Sequence, residues 1–550
     1  MPADPISVAA IAAAERLFGI DYTEAERLLM TEGFEEQIEW ALARRAVALP
    51  ETLAPASRFD PRLAGWRPPV PRAVRFDKAT PPAMPEEPAD IAFAPVSALS
   101  HWLRAGRISS VRLTELYLDR LGRLGPGLDC IVTVTADRAL DEARRCDRLL
   151  ADGTWLGPLH GVPWGAKDLI DTAGIVTGWG AEPYRDRAPA RDATIAARLS
   201  AAGAVLVAKT AVGALAYGDV WYGGISRNPW NPEEGSSGSS AGSAAATAAG
   251  LVGFSIGTET LGSIVSPAMR CGNTGLRPTF GRVSRTGIMP LCWSLDKVGP
   301  ICRSVADTAL VLGAIEGFDA SDPGSIAEPF GYDATLPIAG RRLGYFPADF
   351  AAEGVQDLDR AALEAARRIG LDLVPLERPD LPYQSLMAIL FAEAAAAFED
   401  LTLSGHDDSL RRQDAAAWPN QFRRARFLSA VDHVQLDRLR RRVMIAMEEC
   451  FRPVDAIIGP SLIGPMLTIT NFTGHPSLVL PAGFIETPTR DSVGPSLLRR
   501  TMTTKGATRH TVPHGISLWG RLFDEGTILA IGSALEREFG VTGRRPAGLD

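Results

Sequence analysis

A serine hydroxyl becomes a nucleophile only beside a base, and this chain pairs a conspicuous serine-rich stretch with few candidate bases. Residues 234–250 read Glu234-Gly-Ser-Ser-Gly-Ser-Ser-Ala-Gly-Ser-Ala-Ala-Ala-Thr-Ala-Ala-Gly250, and the turn Gly257-Thr-Glu-Thr-Leu-Gly-Ser263 follows. The seven histidines fall outside both stretches. Of the 57 basic residues only five are lysine: Lys78, Lys167, Lys209, Lys297 and Lys505. Lysine can give up its proton inside a protein, whereas arginine effectively cannot. Lys167 lies among Val162, Trp164, Ala166, Leu169 and Ile170. Desolvation there could bring its pKa from about 10.4 to about 7 or 8, a change of about 4 kcal/mol.

Two other readings compete for the serine-rich stretch. A flexible linker fits its composition, but the Gly/Ser run passes directly into an Ala-rich helix pattern, whose N-terminal N–H groups carry partial positive charge. Gly238-Ser-Ser-Ala-Gly242 also satisfies a G-x-S-x-G elbow with Ser240 as nucleophile, completed in principle by His475 or His514. That elbow requires a buried strand just before it, and Asn228-Pro-Trp-Asn-Pro-Glu-Glu-Gly235 is not expected to supply one.

The motifs resemble the amidase signature family. Its serine-rich core is matched by Gly238-Ser-Ser-Ala-Gly-Ser-Ala-Ala-Ala246, Gly257-Thr-Glu-Thr-Leu-Gly-Ser-Ile264 and Cys271-Gly-Asn-Thr-Gly-Leu-Arg-Pro-Thr-Phe-Gly-Arg-Val-Ser284. Its lysine motif is matched by Gly161-Val-Pro-Trp-Gly-Ala-Lys-Asp168. Further matches are Ser294-Leu-Asp-Lys-Val-Gly-Pro300, Asn471-Phe-Thr-Gly-His-Pro476 and Gly520-Arg-Leu-Phe-Asp-Glu525, so the likeness spans about residues 95 to 540. The resemblance implies an amidase with a Ser-cisSer-Lys triad: Ser263 as nucleophile, Ser239 as bridging relay and Lys167 as base. It implies an acyl-enzyme and an oxyanion hole of backbone N–H groups at Thr260, Leu261, Gly262 and Ser263, with no metal or organic cofactor. An esterase or carbamate hydrolase with the same triad, or the amidase subunit of a tRNA-dependent amidotransferase, would carry the same motifs. Three positions depart from the family pattern: Leu261 in place of Gly or Ala, Ser237 in place of a second Gly, and Glu259 in place of Asp.

Trp164, Tyr217, Trp221, Tyr222 and Trp230 lie between the lysine motif and the serine loop. Trp164, Tyr217, Trp221, Tyr222 and Leu261 are the expected substrate pocket, which would favour a bulky or aromatic acyl group, although aromatic residues commonly serve packing alone. Lys209, Lys297, His475 and His514 are read as structural.

The elements that must position these residues follow from periodicity. Apolar runs at Ala204–Ala208, Phe254–Ile256, Leu343–Phe346, Asp455–Ile458 and Leu478–Leu480 read as buried strands separated by helical segments. This predicts an α/β fold, which the resemblance specifies as a large twisted mixed β-sheet flanked by helices on both faces. Residues 1–90 read as an N-terminal helical appendage of two helices followed by a strap, since eleven prolines fall between Pro50 and Pro95. Its second helix opens with the capping box Thr23-x-x-Glu26 and continues through Phe34, Ile38 and Leu42. Residues 91–545 form the amidase signature domain, with 383–452 a helical insertion or lid.

Composition narrows the partners. A net charge of −8 argues against nucleic acid, and six scattered cysteines without a C-x-x-C pair argue against a disulfide framework or a local zinc site. The charge-free stretch 235–258 begins with Gly and Ser, so it reads as buried core rather than a membrane span. The expectation is a cytoplasmic enzyme, a homodimer, acting on a small-molecule amide.

Overall fold

Strands that are apolar on both faces must be covered on both sides, and here they assemble into one mixed sheet flanked by helices. The computed structural model describes residues 6–31, 34–47, 49–50, 52–76, 82–490 and 504–549. Eleven strands pair in the order Ile131–Val134, Val205–Thr210, Pro163–Lys167, Phe254–Glu259, Lys297–Cys302, Thr274–Arg277, Ser477–Arg490, Thr504–Gly520, Ala456–Pro460, Arg342–Tyr345 and Asp372–Pro375. All five apolar runs named above become strands of this sheet. Pro163–Lys167 runs parallel to both Val205–Thr210 and Phe254–Glu259, with Ala166 opposite Lys209 on one side and Ile256 on the other. Every residue of these three strands is buried.

The Ala-rich segment folds as a helix, Ala241–Ala248, buried at every position. Its small side chains let the backbone approach the sheet so closely that the Gly242 N–H donates to Ala211 O at 2.8 Å. This accounts for the long charge-free stretch as core. Among the described residues no helix is long and apolar enough to cross a membrane. The last helix, Glu525–Phe539, lays Ile528, Ile531 and Leu535 into the core.

The N-terminal region departs from the two-helix expectation. Helices occupy Val8–Phe18, Glu24–Met30 and Phe34–Arg45, so the second expected helix is split after Met30, where Thr31 donates its N–H to Leu28 O. The Thr23/Glu26 capping box is formed. Residues 383–452 are largely helical, ending in the long helix Ala430–Phe451, with Phe398, Phe422 and Trp418 stacked between helices.

Candidate active site

In a sheet with parallel strands, chemistry gathers at their carboxyl ends. Lys167 is the last residue of its strand and Glu259 the last of the neighbouring strand, so the lysine and the serine turn emerge side by side. The third segment, Ser236 to Ser240, enters from a short ribbon in which Arg227–Asn228 pairs with Asn231–Gly235. Sequence reasoning allowed no buried strand there; a strand does form, but in this two-stranded ribbon outside the main sheet.

Backbone contacts clamp the serine segments together. The Ser240 N–H donates to Ser263 O at 3.2 Å, while Ser240 Oγ donates to Thr258 O and accepts from the Thr258 N–H. Both hydrogen-bonding sides of this hydroxyl are thereby engaged, and the elbow reading with Ser240 as nucleophile loses its free hydroxyl. The candidate histidines lie elsewhere. His475 Nδ1 meets Thr473 Oγ1 and its ring stacks on Phe451, and His514 Nε2 meets Asp359. Burial, with the charge of Arg277, pushes the His475 pKa down to about 3.

Lys167 is fully buried. Its Nζ lies 2.8 Å from Ser239 Oγ, 2.9 Å from Thr258 Oγ1 and 3.2 Å from Thr258 O. Among the described residues no carboxylate comes within ion-pair distance of it. Burial holds its pKa well below the ordinary lysine value, and the distant charges of Asp296 and Glu259 oppose that shift without cancelling it. The peptide bond Gly238–Ser239 is cis. Gly238 is obligatory for a separate reason: a Cβ there would sit 1.8 Å from Gly218 O.

Ser263 lies on the turn that follows Glu259. Two features shape this turn. Gly262 has φ +84, a conformation that side chains resist, and a Cβ there would crowd Leu467 at 3.1 Å. The Glu259 carboxylate folds back to accept the Ile264 and Val265 N–H groups at 2.8 and 3.0 Å. Glu259 is in turn held by Arg277 at 2.6 Å and Asn471 at 2.9 Å. Burial alone would raise its pKa, but Arg277 and the donated N–H groups outweigh this and bring it to about 2. The N–H groups of Thr260, Leu261, Gly262 and Ser263 meet no hydrogen-bond acceptor among the described residues. Thr258 and Glu259 are the residues that sequence reasoning did not assign. The departure from Asp to Glu was the one available signal for Glu259.

Ser237 has φ +64, a conformation that side chains resist. Its N–H is held by Asp219 and its Oγ lies 2.6 Å from Ser266 Oγ.

A cavity of about 230 Å³ opens beside Thr258 and Thr260. Its walls include Leu169, Ala216, Met289, Leu291 and Trp293. Of the expected pocket residues, none of Trp164, Tyr217, Trp221, Tyr222 or Leu261 is on these walls. Trp164 is core, stacked near Phe254 with centroids 6.2 Å apart. Tyr217 packs on Trp418 beneath Arg412, Trp221 donates to Asp129 O and meets Tyr222 edge-on, and Trp230 donates to Cys271 O. Leu261 packs half-buried against the core. Lys78 lies outside the described residues, as does the side chain of Lys505. Lys297 lies on the cavity wall, with its Nζ bonded to Leu295 O.

A family model described as Amidase matches residues 112–529. The chain is 34% identical to the putative amidase AmiD of Mycobacterium tuberculosis (strain ATCC 25618 / H37Rv), over 86% of this chain and 99% of that protein. It is 33% identical to a glutamyl-tRNA(Gln) amidotransferase subunit of Roseiflexus sp. (strain RS-1), over 79% of this chain and 94% of the relative. The solved structure of native peptide amidase from Stenotrophomonas maltophilia superimposes with a TM-score of 0.70 at 29% identity, covering 83% of this chain and 99% of its own.

Proposed function

The chain belongs to the amidase family, and from that premise we propose that it hydrolyses the C–N bond of a small, uncharged carboxylic amide through an acyl-enzyme on Ser263. The observation that carries this reading is the buried Lys167 amine, in contact with hydroxyls and a carbonyl and, among the described residues, with no carboxylate within ion-pair distance. As a neutral amine it donates two hydrogens to Thr258 O and Thr258 Oγ1, which leaves its lone pair to accept the Ser239 hydroxyl proton. The Ser263 hydroxyl then passes its proton to Ser239 as its oxygen attacks the carbonyl carbon. Charge develops on the carbonyl oxygen, where the free N–H groups of Thr260 to Ser263 are available, each donor being worth about 2.7 to 4 kcal/mol. Collapse breaks the C–N bond, and the proton returns through Ser239 to the leaving nitrogen. Water then attacks the ester carbonyl by the same relay and regenerates Ser263. The chemistry of an ester or carbamate would use the same groups.

The cavity walls favour an uncharged substrate. Arg285 is paired with Asp322, and Asp296 accepts from Thr260 Oγ1 and from the Leu291 and Cys292 N–H groups. Burial pushes the Asp296 carboxyl up and the Lys297 amine well down. We read the protein as a water-soluble cytoplasmic homodimer.

Mass spectrometry after treatment with a small fluorophosphonate tests the nucleophile. An adduct on Ser263 supports the reading, and labelling at Ser240 or nowhere sinks it. A panel of aryl amides, alkyl amides, esters and carbamates then separates the substrate classes. The 33% identity to an amidotransferase subunit supports a second reading, in which this chain supplies ammonia within a larger complex. Turnover of an aryl amide by the purified chain alone would remove that alternative.

A further inference from the structure

The N-terminal strap contributes to the cavity. Thr52 and Ala54 lie on its wall, together with Leu169, Ala216, Thr258, Thr260 and residues from 285–298 and 321–323. The strap is fastened on both sides of this point. Before it, Arg44 pairs with Glu399 through two contacts of 2.6 and 2.9 Å. After it, the Phe59 ring meets Phe280 edge-on at 5.0 Å and lies 3.4 Å from the Arg440 guanidinium. That guanidinium also donates to Ser294 O and Ser294 Oγ, so the fastening point and the Trp293–Ser294 wall share one side chain. Further along, Arg62 reaches Glu328, Trp66 meets Phe523 and Arg72 reaches Asp524. Among the described residues, the one hydrogen bond made by Thr52 to Arg58 is local, from the Leu53 N–H to Pro50 O at 2.9 Å. Ion pairs and ring contacts therefore fasten the strap on either side of the stretch over the cavity.

We propose that Thr52 and Ala54 are specificity-determining residues: the strap closes the substrate cavity and limits the acyl group to an uncharged body about the size of a single ring with short substituents. This rests on the amidase reading of Ser263 and deepens it. The size follows from volume, since a cavity of about 150 Å³ already accommodates benzene and this one holds about 230 Å³. Ala54 is the informative position, because a larger side chain there projects into space that the substrate would occupy, while the proposed triad is left intact.

The test uses the full chain with Ala54→Trp and Phe59→Ala. Rates of Ser263 labelling are compared for a small and a bulky fluorophosphonate, together with kcat/KM for an acetyl amide and an aryl amide. Ala54→Trp is expected to lower kcat/KM for the aryl amide about tenfold or more while the acetyl amide stays within about twofold. Phe59→Ala, which frees the strap, is expected to narrow the gap between bulky and small labels. Equal losses for both substrates, or unchanged discrimination in both variants while Ser263 is still labelled, overturns the strap proposal alone. Failure of the wild-type chain to label at Ser263 overturns the amidase reading and this proposal with it. Should Ala54→Trp not fold, Thr52→Trp is put to the same comparison.

Discussion

Lys167 and Lys209 stand on adjacent parallel strands, one residue out of step, and both are wholly buried. Their surroundings differ in one respect that decides what each can do. Lys209 donates to Ile170 O at 2.5 Å and to the hydroxyls of Thr172 and Thr177, with the Asp168 carboxylate 3.9 Å away. Lys167 has hydroxyls and a carbonyl but, among the described residues, no carboxylate within ion-pair distance. Burial lowers the pKa of both amines, and for Lys209 the Asp168 charge works against that shift. Asp168 is itself raised by burial and lowered by Lys209. The lesson is that depth alone does not make a lysine a base. A buried amine with a counterion is a strut, and one facing hydroxyls is free to exchange protons.

Removing each amine is the strongest way to break this contrast. Lys167→Ala is expected to lower turnover by about 10⁴-fold while the chain still unfolds cooperatively in urea. Ser263→Ala should match it in activity. Wild-type-like rates in either variant would end the assignment.

Lys209→Met should do the reverse. It leaves the Asp168 carboxylate buried without its cation, and among the described residues Asp168 Oδ1 already has no hydrogen-bond partner. The expected cost is about 3 to 5 kcal/mol of stability, read from urea denaturation. The double variant Lys209→Met/Asp168→Asn removes both charges and should recover a large part of that loss. If the double variant is no better than the single, the pair is not what Lys209 is for.

The sequence singles out the first lysine of this pair through the resemblance of Gly161–Asp168 to the amidase signature lysine motif, and its apolar neighbours are compatible with a buried amine. The sheet was equally legible, since runs such as Val205–Thr210 are apolar on both faces and admit few alternatives. The cavity was not. Its wall draws on Thr52 and on residues near 290, which come together only through the tertiary fold. Aromatic type gave no direction either: Trp164 sits on a strand buried on both faces, where no alternation separates a pocket-facing residue from a core one. Thr258 escaped notice because a threonine at a strand end is ordinary until the lysine amine is seen beside it. The N-terminal helices were merged because an apolar repeat continued past Met30, yet Ile38 and Leu42 are 37% and 56% exposed and drive no packing.

The smallest expected effect separates the two amines by pH. A lysine whose folded pKa is depressed stays neutral in the fold but binds a proton in the unfolded chain. Unfolding then takes up protons over the window from the lowered folded value to about 10.4, and stability rises with pH across it, by at most about 1.4 kcal/mol per pH unit for one such group. The contribution is fully present above the unfolded pKa and is lost as pH falls toward the folded one. Lys167→Met should flatten this rise, and the difference between the two stability curves isolates one amine from every other titrating group. In the wild type, kcat/KM should climb through the same lowered pKa as the amine deprotonates, provided the chemical step limits the rate. A stability slope identical in wild type and Lys167→Met, alongside a flat activity profile, would mean that the amine keeps its proton in the fold and that Lys167 belongs with Lys209 as a strut.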